Sequence, residues 1–528
     1  MSTSRRLFIL VAVALGLTAV NPLVAPGLAQ PATDLLRLTW WTDVGFPTPF
    51  AFSTVGPGGI ARLSLIYDTL LWKNENGLIP WLASSWRVTV DGKAYVFTLH
   101  PNVSWHDGSP FSARDVKFSF DYYRRHPFKW VDTAVVDSVE ARDRRTVVIK
   151  LKEPYAPFLE EIASIVPIIP EHIWQFVAQP ERLQELSAAV GTGPYRLVDY
   201  RPEVGQYRFI ANPNYFKGKP LIGEIQYVLT PRERELLAVQ NGEVDAASGT
   251  TYDVVRTFAD HPYLRVLETE PLSVARVIFN MERPPTIIKA FRQAIAYALD
   301  RKRIGEIVTR GPAPVGSVGV IPPGDPWFNR EVKVYPYDPD RARALLRSLG
   351  YVDRDGDGWL EAPTGERLQI ELLTSPVRDA ELIQSMLKEV GIEVKVRAVD
   401  PTTRATLAAE GKFQIAFTTH TGTGGDPDYL RTWFTGESAN LFARGSALRQ
   451  PEFLRLAKLQ VRTLDPQRRL QMIYRMQDVL AEELPSLPLY YRRFFWVYDS
   501  RKFKPIATRG GLMNAIPLIE NKVAFLRR

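Results

Sequence analysis

The clearest metal-ligand spacing in the sequence is an acidic loop at 353–361. Its carboxylates stand at the first, third, fifth and ninth positions of the loop: Asp353, Asp355, Asp357 and Glu361. Carboxylates at this spacing, with Gly358 at the sixth position, are typical of the start of a calcium-binding loop. The twelfth position holds Thr364, where such a loop carries a bidentate glutamate. Calcium is therefore one interpretation, and a solvated Asp/Gly turn is the other; no other cofactor is expected.

Nucleophilic and metal-dependent catalysis has little support in the sequence. There is no Gly-x-Ser-x-Gly elbow, no His-Glu-x-x-His and no Gly-x-x-x-x-Gly-Lys phosphate loop. The chain has 6 His and no Cys, which excludes a cysteine nucleophile, a thiolate metal site and disulfides. We therefore predict that the protein is not an enzyme. A secreted hydrolase that works through paired carboxylates is the alternative from a different class.

The net charge of +8 is spread over the chain rather than gathered into one basic stripe. Basic residues occur singly or in short runs such as Arg124–Arg125, without the interleaved aromatic residues that nucleic-acid surfaces carry. We expect no nucleic-acid partner.

The first residues have the pattern of a secretion signal. Arg5 and Arg6 precede an apolar run over residues 7–20, and small residues at Gly27 and Ala29 suit cleavage before Gln30. The run is shorter than the roughly 18 residues that a membrane span needs. We predict export to the periplasm by the Sec route, with the twin-arginine route as the alternative because the start resembles Ser-Arg-Arg-x-Phe-Leu. Without Cys there is no lipoprotein anchor.

Strand-like and helix-like segments alternate along the chain, which favours an α/β fold. Strands are predicted at 36–41, 95–99, 146–151, 368–373, 394–398 and 413–418. Helices are predicted at 60–72, 288–308, 341–349, 380–390 and 466–484, and another begins at a capping box formed by Ser112 and Asp115. A chain of 528 residues exceeds the size of one simple core, so two or more lobes are expected.

Four blocks of sequence together resemble the family 5 extracytoplasmic solute-binding proteins, whose members serve peptide and nickel ABC transporters. They are 79–116 with the motif Trp105-His106-Asp107-Gly108, 191–215 with Gly191-Thr192-Gly193-Pro194-Tyr195, 291–301, and 465–490. The blocks follow one another in the family's order and span essentially the whole mature chain.

The resemblance implies a two-lobed periplasmic-binding-protein fold of type II with an extra inserted subdomain and a ligand cleft between the lobes. On this pattern, 1–29 is the signal peptide, 30–70 and 186–275 belong to lobe I, 71–185 is its inserted subdomain, 276–486 is lobe II, and 487–528 returns to lobe I.

The function that the resemblance implies is the periplasmic capture of peptides or peptide-like solutes for an ABC importer. The partners would be the permease and ATPase subunits of the inner membrane, and the protein would be a monomer. An oligosaccharide or a nickel complex is the alternative ligand in the same importer role.

Family members can hold a peptide's α-ammonium group on an aspartate in the segment that matches 418–430. Asp426 is the best match and Asp428 the second, although either also suits a turn or a helix N-cap. His420 is a candidate contact for a metal complex, and Trp41 could stack on the ligand or pack in the core.

Overall fold

The computed structural model describes residues 35–52, 58–249, 251–436, 443–513 and 515–527. The predicted signal peptide at 1–29 lies outside these residues. No helix within the described ranges is both long and apolar enough to cross a membrane.

Strands and helices alternate through the described chain. The strands are β1 Leu35–Trp40, β2 Leu71–Asn74, β3 Gly77–Pro80, β4 Ala83–Val88, β5 Ala94–Leu99, β6 Val136–Ala141, β7 Thr146–Leu151, β8 Tyr195–Arg201, β9 Gln206–Ala211, β10 Glu224–Leu229, β11 Ala246–Gly249, β12 Leu264–Glu268, β13 Ser273–Phe279, β14 Gln369–Thr374, β15 Glu393–Ala398, β16 Ile415–Thr421, β17 Ser486–Arg492 and β18 Phe495–Asp499. The helices are α1 Gly58–Ile66, α2 Ala113–Arg125, α3 Glu171–Trp174, α4 Glu235–Gln240, α5 Asp253–Phe258, α6 Lys289–Ala298, α7 Arg301–Thr309, α8 Pro339–Ser348, α9 Arg378–Glu389, α10 Pro401–Ala409, α11 Tyr429–Phe434, α12 Ala443–Ser446, α13 Pro451–Gln460 and α14 Pro466–Glu483.

The first lobe is built on a seven-stranded mixed sheet with the order β12-β18-β11-β1-β10-β9-β8. Strands β11 and β10 flank the central strand β1 and run parallel to it. The outer strands pair antiparallel with their neighbours. A four-stranded antiparallel sheet, β4-β5-β7-β6, forms the inserted subdomain with α2 packed beside it. Both sheets contribute to one continuous apolar core, which contains Leu36 and Tyr227 from the first sheet and Phe97 and Val147 from the second. The subdomain is therefore fixed to the first lobe.

The second lobe is built on a five-stranded sheet with the order β15-β14-β16-β13-β17. Strand β13 is buried at all of its positions, because strands flank it on both sides and helices cover the sheet. The carboxyl ends of the parallel strands β14 and β16 lie at one edge of this sheet.

Two short connections carry the chain between the lobes. One joins β12 to β13 across 269–272, and the other joins β17 to β18 across 493–494. The two are hydrogen-bonded to each other, since Thr269 N–H donates to Phe494 O at 3.0 Å and Phe494 N–H donates to the Thr269 hydroxyl at 3.1 Å. Strands β13 and β17 both belong to the sheet of the second lobe. The second lobe therefore begins near residue 273 rather than 276 and ends near residue 492 rather than 486.

Local sequence signals account for several element boundaries. The capping box of α2 is confirmed: the Ser112 side chain accepts from the helix backbone, and Asp115 accepts from Ser112 N–H at 2.8 Å. The single helix predicted at 288–308 is wrong, because Asp300 caps a second helix and divides the segment into α6 and α7. The helix predicted at 60–72 ends at Ile66, and β2 takes up the apolar residues that follow.

Candidate ligand cleft

A cavity of about 980 Å³ lies between the inserted subdomain and the second lobe. The subdomain wall comes from residues 130–135 and 153–165, and the second-lobe wall from 421–433 and 458–462. A second cavity of about 730 Å³ adjoins it along the connections between the lobes, and both are lined by Lys73, Glu160, Gly425 and Asp426. Together the two cavities form an extended cleft of the size that holds a small-molecule ligand or a short peptide.

Asp426 lines both cavities from the loop after β16, but its carboxylate already has a cationic partner. Arg469 of α14 donates two hydrogen bonds to it, each at 2.6 Å, and the two side chains are only 5 and 6% exposed. Burial raises the pKa of Asp426, while Arg469 lowers it. That Asp426 holds the solute's ammonium group stays a prediction, but its carboxylate is already paired with Arg469, 43 residues further along the chain.

Asp428 is fully buried beneath the cleft wall at the start of α11. Its carboxylate accepts from Arg431 at 2.9 and 2.6 Å and from the Gln460 side chain at 2.6 Å. These contacts tie α11 to α13. Asp428 therefore forms a structural ion pair with Arg431 and is not available as an acceptor for a solute.

Glu161 is a cleft carboxylate that the sequence analysis missed, and Asp325, which lines the second cavity, is another. Glu161 lies on a π-helical turn, Phe158–Ala163, that the subdomain presents to the second lobe. The Tyr155 hydroxyl donates to Glu161 Oε2 at 2.9 Å, and within the described residues no Lys, Arg or His forms an ion pair with it. Its neighbour Glu160 is paired with Lys73 at 2.6 Å.

The surroundings of Glu161 disfavour its charged form. Burial raises the pKa of Glu161 to about 8, and the nearby Asp426 and Asp428 carboxylates act in the same direction. Arg431 opposes the shift. A cation placed beside Glu161 would therefore restore its charge and gain a strong hydrogen bond.

His420 lies beside the cleft on β16 rather than among the residues that line the two cavities. The buried Arg276 guanidinium donates to His420 Nδ1 at 2.8 Å and stacks over Trp433 at 4.3 Å. Burial and Arg276 hold the pKa of His420 well below its usual range, so the ring is neutral. Its Nδ1 is thus engaged by the protein itself.

Trp41 follows β1 and also stands apart from the two cavities. Its ring stacks on Trp40 at a centroid distance of 4.1 Å, and the Arg232 guanidinium lies 3.7 Å above it. These contacts fit the core-packing interpretation better than a ligand-stacking role.

The acidic loop lies between α8 and β14 in the second lobe, outside the cleft. Oxygens of Asp353, Asp355, Asp357 and Glu361 lie within 4.8 Å of one another, and the three aspartates are exposed. Both Asp353 oxygens accept backbone N–H groups, from Gly356 at 2.7 Å and Gly358 at 3.0 Å, and Arg367 pairs with Asp357. The carboxylates are gathered as a calcium loop requires, but protein donors already occupy several of their oxygens.

Comparison with known proteins agrees with this architecture. A model of the bacterial extracellular solute-binding proteins, family 5, matches residues 77–442. The nickel-binding periplasmic protein of Escherichia coli is 28% identical over 75% of this chain and 77% of its own, and the dipeptide-binding protein of the same organism is 28% identical over 79 and 82%.

Solved structures share the fold. NikA from Brucella suis, in complex with Fe(III)-EDTA, superposes with a TM-score of 0.81 at 24% identity, covering 92% of this chain and 99% of its own. The oligopeptide-binding protein AppA from Bacillus subtilis, in complex with a nonapeptide, has a TM-score of 0.71 at 21% identity over 88 and 95%. These matches confirm the two-lobed fold with its inserted subdomain. With the family model covering most of the described residues and both lobes in place, the chain belongs to family 5 of the bacterial extracellular solute-binding proteins.

Proposed function

We propose that this solute-binding protein of an ABC importer captures a solute with a cationic group, a short peptide above all, and that Glu161 accepts that group in the cleft. The importer role follows from the family, whose members are binding proteins rather than enzymes. A membrane permease and its ATPase are the partners to which the solute passes.

The single observation that carries the proposal is the charge balance beside the subdomain. Three carboxylates there have their own cations: Glu160 with Lys73, Asp426 with Arg469 and Asp428 with Arg431. Glu161 faces the same space with only the Tyr155 hydroxyl as a donor among the described residues. An ammonium group of the solute would give Glu161 the cation that it lacks. A carboxylate that is removed from water when the cleft closes is costly without a counter-charge.

The relatives support a peptide as the source of the cation. The dipeptide-binding protein of Escherichia coli and AppA in its nonapeptide complex carry peptides in their names. A peptide also offers backbone groups that main-chain hydrogen bonds can bind whatever the side chains.

A ligand panel tests the proposal on the purified protein. Thermal unfolding is recorded with di- to pentapeptides, their N-acetylated forms, a nickel–histidine complex and oligosaccharides, since a ligand bound to the folded state raises the melting temperature by mass action. We expect stabilisation by peptides with a free amino group and much less by the acetylated forms. Stabilisation by oligosaccharides alone would contradict the proposal.

We further propose that residues 1–29 direct export and are removed before Gln30. The support is the pattern of Arg5, Arg6 and the apolar run over 7–20, together with the periplasmic location stated for the Escherichia coli nickel-binding relative. Mass spectrometry of the protein recovered from the periplasm should give a chain that begins at Gln30. A mature protein that keeps Met1 would contradict this.

A further inference from the structure

The inserted subdomain touches the second lobe directly, away from the two connections that carry the chain between the lobes. Ala156 N–H, in the segment between β7 and the π-helical turn, donates to Val461 O at 2.6 Å. Val461 belongs to the turn that joins α13 to α14 in the second lobe. A hydrogen bond between two main chains brings their backbones together, so the two walls of the cleft are in contact at this place.

An ion pair and an apolar contact accompany this hydrogen bond. Arg462 pairs with Glu153 across the same boundary. Beside them, Leu464 packs on Gly92 in the turn between β4 and β5, and Gly92 is buried although its two neighbours in the turn are exposed. A Cβ atom at Gly92 would lie only 2.4 Å from Leu464 Cδ1, so the fit is close. Together with the hydrogen bond of Ala156, we call these contacts the rim contact.

The rim contact and the connections border different cavities of the cleft. Glu153, Val461 and Arg462 line the first cavity, and none of the described residues in the connections at 269–272 and 493–494 lines it. Residues of both connections line the second cavity instead, where the described lining contains no residue of the rim contact. The extended cleft is thus bounded by the connections beside one cavity and by the rim contact beside the other.

Each side of the rim contact is fixed by hydrogen bonds within its own lobe. On the side of the second lobe, Thr463 N–H donates to Gln460 O at 3.2 Å and continues the end of α13. On the side of the subdomain, Lys152 N–H donates to Val135 O at 3.0 Å. Segments that are already ordered lose little conformational entropy when they meet. The rim contact therefore needs no solute to order its two sides.

We propose that the rim contact is a latch that holds the two walls of the cleft together in the absence of a solute. Contacts that form only when the walls meet stabilise the closed form relative to an open one by their own free energy. The side chains of Arg462 and Glu153 are 53 and 42% exposed, so their ion pair alone shifts this balance by about fivefold at most. The backbone hydrogen bond and the packing of Leu464 add to it. The latch consists of contacts within the protein, so it depends neither on Glu161 nor on the identity of the solute.

The test measures the distance between the two walls in the purified protein, after bound solute has been removed by unfolding and refolding. The chain has no Cys, so spin labels can be attached at one exposed alanine of each wall through Ala178→Cys in the subdomain and Ala344→Cys on α8. Double electron–electron resonance then gives the distribution of distances between the labels. We expect a population at the distance of the closed form. Arg462→Glu places two carboxylates together and should lower the ratio of closed to open form at least threefold.

An exchange of the two charges gives a readout that a folding defect cannot imitate. Arg462→Glu combined with Glu153→Arg restores an ion pair at the rim contact and should restore the closed population. The matched control is Arg475→Glu, which breaks a similarly exposed ion pair with Glu452 that joins α13 to α14 within the second lobe, and it should leave the distances unchanged. The proposal is overturned if the protein without these charge changes shows no closed population, or if Arg462→Glu leaves the distances as they were.

Discussion

At the scale of single residues, the carboxylates of the cleft differ in whether the protein itself supplies them with a cation. Asp426 and Asp428 are buried and bound to Arg469 and Arg431, whereas Glu161 has no such partner among the described residues. A ligand cation gains more from a carboxylate that lacks a counter-charge than from one that the protein has already paired. This reasoning assigns the ammonium contact to Glu161.

The same reasoning predicts that Asp426 contributes mainly to stability. Asp426→Ala should lower the free energy of unfolding by about 3–5 kcal/mol, because Arg469 then lies buried without its counter-charge. Urea unfolding measures the loss. The double variant Asp426→Ala/Arg469→Met should recover part of it, since the unpaired charge is gone as well. If the double variant loses as much stability as Asp426→Ala and Arg469→Met lose together, the two residues do not act as a coupled ion pair.

Residue roles were only partly readable from the sequence. The place of Asp426 after a strand indicated a loop at the cleft, but its partner Arg469 is distant in the chain and belongs to another helix. Glu161 has no local signal beyond a Glu-Glu pair in an apolar segment. Its significance depends on which other carboxylates are paired, and only the folded structure gives that.

At the scale of elements, the acidic loop between α8 and β14 is held together by its own hydrogen bonds. Backbone N–H groups occupy both oxygens of Asp353, and Arg367 pairs with Asp357. We therefore expect that the turn is stable without a metal ion. Thr364 stands at the twelfth position of the motif, where a calcium loop has a glutamate, and it supplies no carboxylate. This agrees with a turn that needs no metal ion.

A chelator distinguishes the turn from a calcium site. We expect the same melting temperature in EDTA and in millimolar calcium, because only a ligand of the folded state shifts it. A rise of several degrees with calcium that is lost in Asp355→Asn would show that the loop binds the ion.

Elements with a strong periodic pattern and a local cap were predictable. Helix α14 begins at Pro466, and the predicted start of α2 at the Ser112 capping box is confirmed. The division of 288–308 into α6 and α7 was not predicted, because the apolar spacing runs through Asp300 and conceals the break. Sheet order joins strands from distant segments, such as β1 with β10, and no local pattern specifies it.

At the scale of the whole molecule, the cleft is formed by two walls, and the connections at 269–272 and 493–494 join them covalently in the described part of the chain. Paired connections of this kind allow hinge closure around a ligand. Glu161 lies on the wall of the inserted subdomain, and Asp426 lies on the wall of the second lobe. A solute cation between them would be withdrawn from water as the walls approach, which strengthens its interaction with Glu161.

The most direct test is the affinity of the tightest-binding peptide for the unaltered protein and for Glu161→Gln, by calorimetry between about pH 6 and pH 8. The matched control is Glu140→Gln, a carboxylate of the inserted subdomain that lies outside the cleft lining and is paired with Arg142.

We expect Glu161→Gln to weaken binding by about 2–5 kcal/mol and Glu140→Gln to change it little. Because the pKa of Glu161 is raised to about 8, protons compete with the cation, so affinity for the unaltered protein should fall as the pH falls through this range. The groups around Glu161 that set this competition are Tyr155, Asp426, Asp428 and Arg431. In Glu161→Gln this pH dependence should disappear. Equal affinity of the unaltered protein and Glu161→Gln at every pH would contradict the assignment of Glu161 as the cation acceptor.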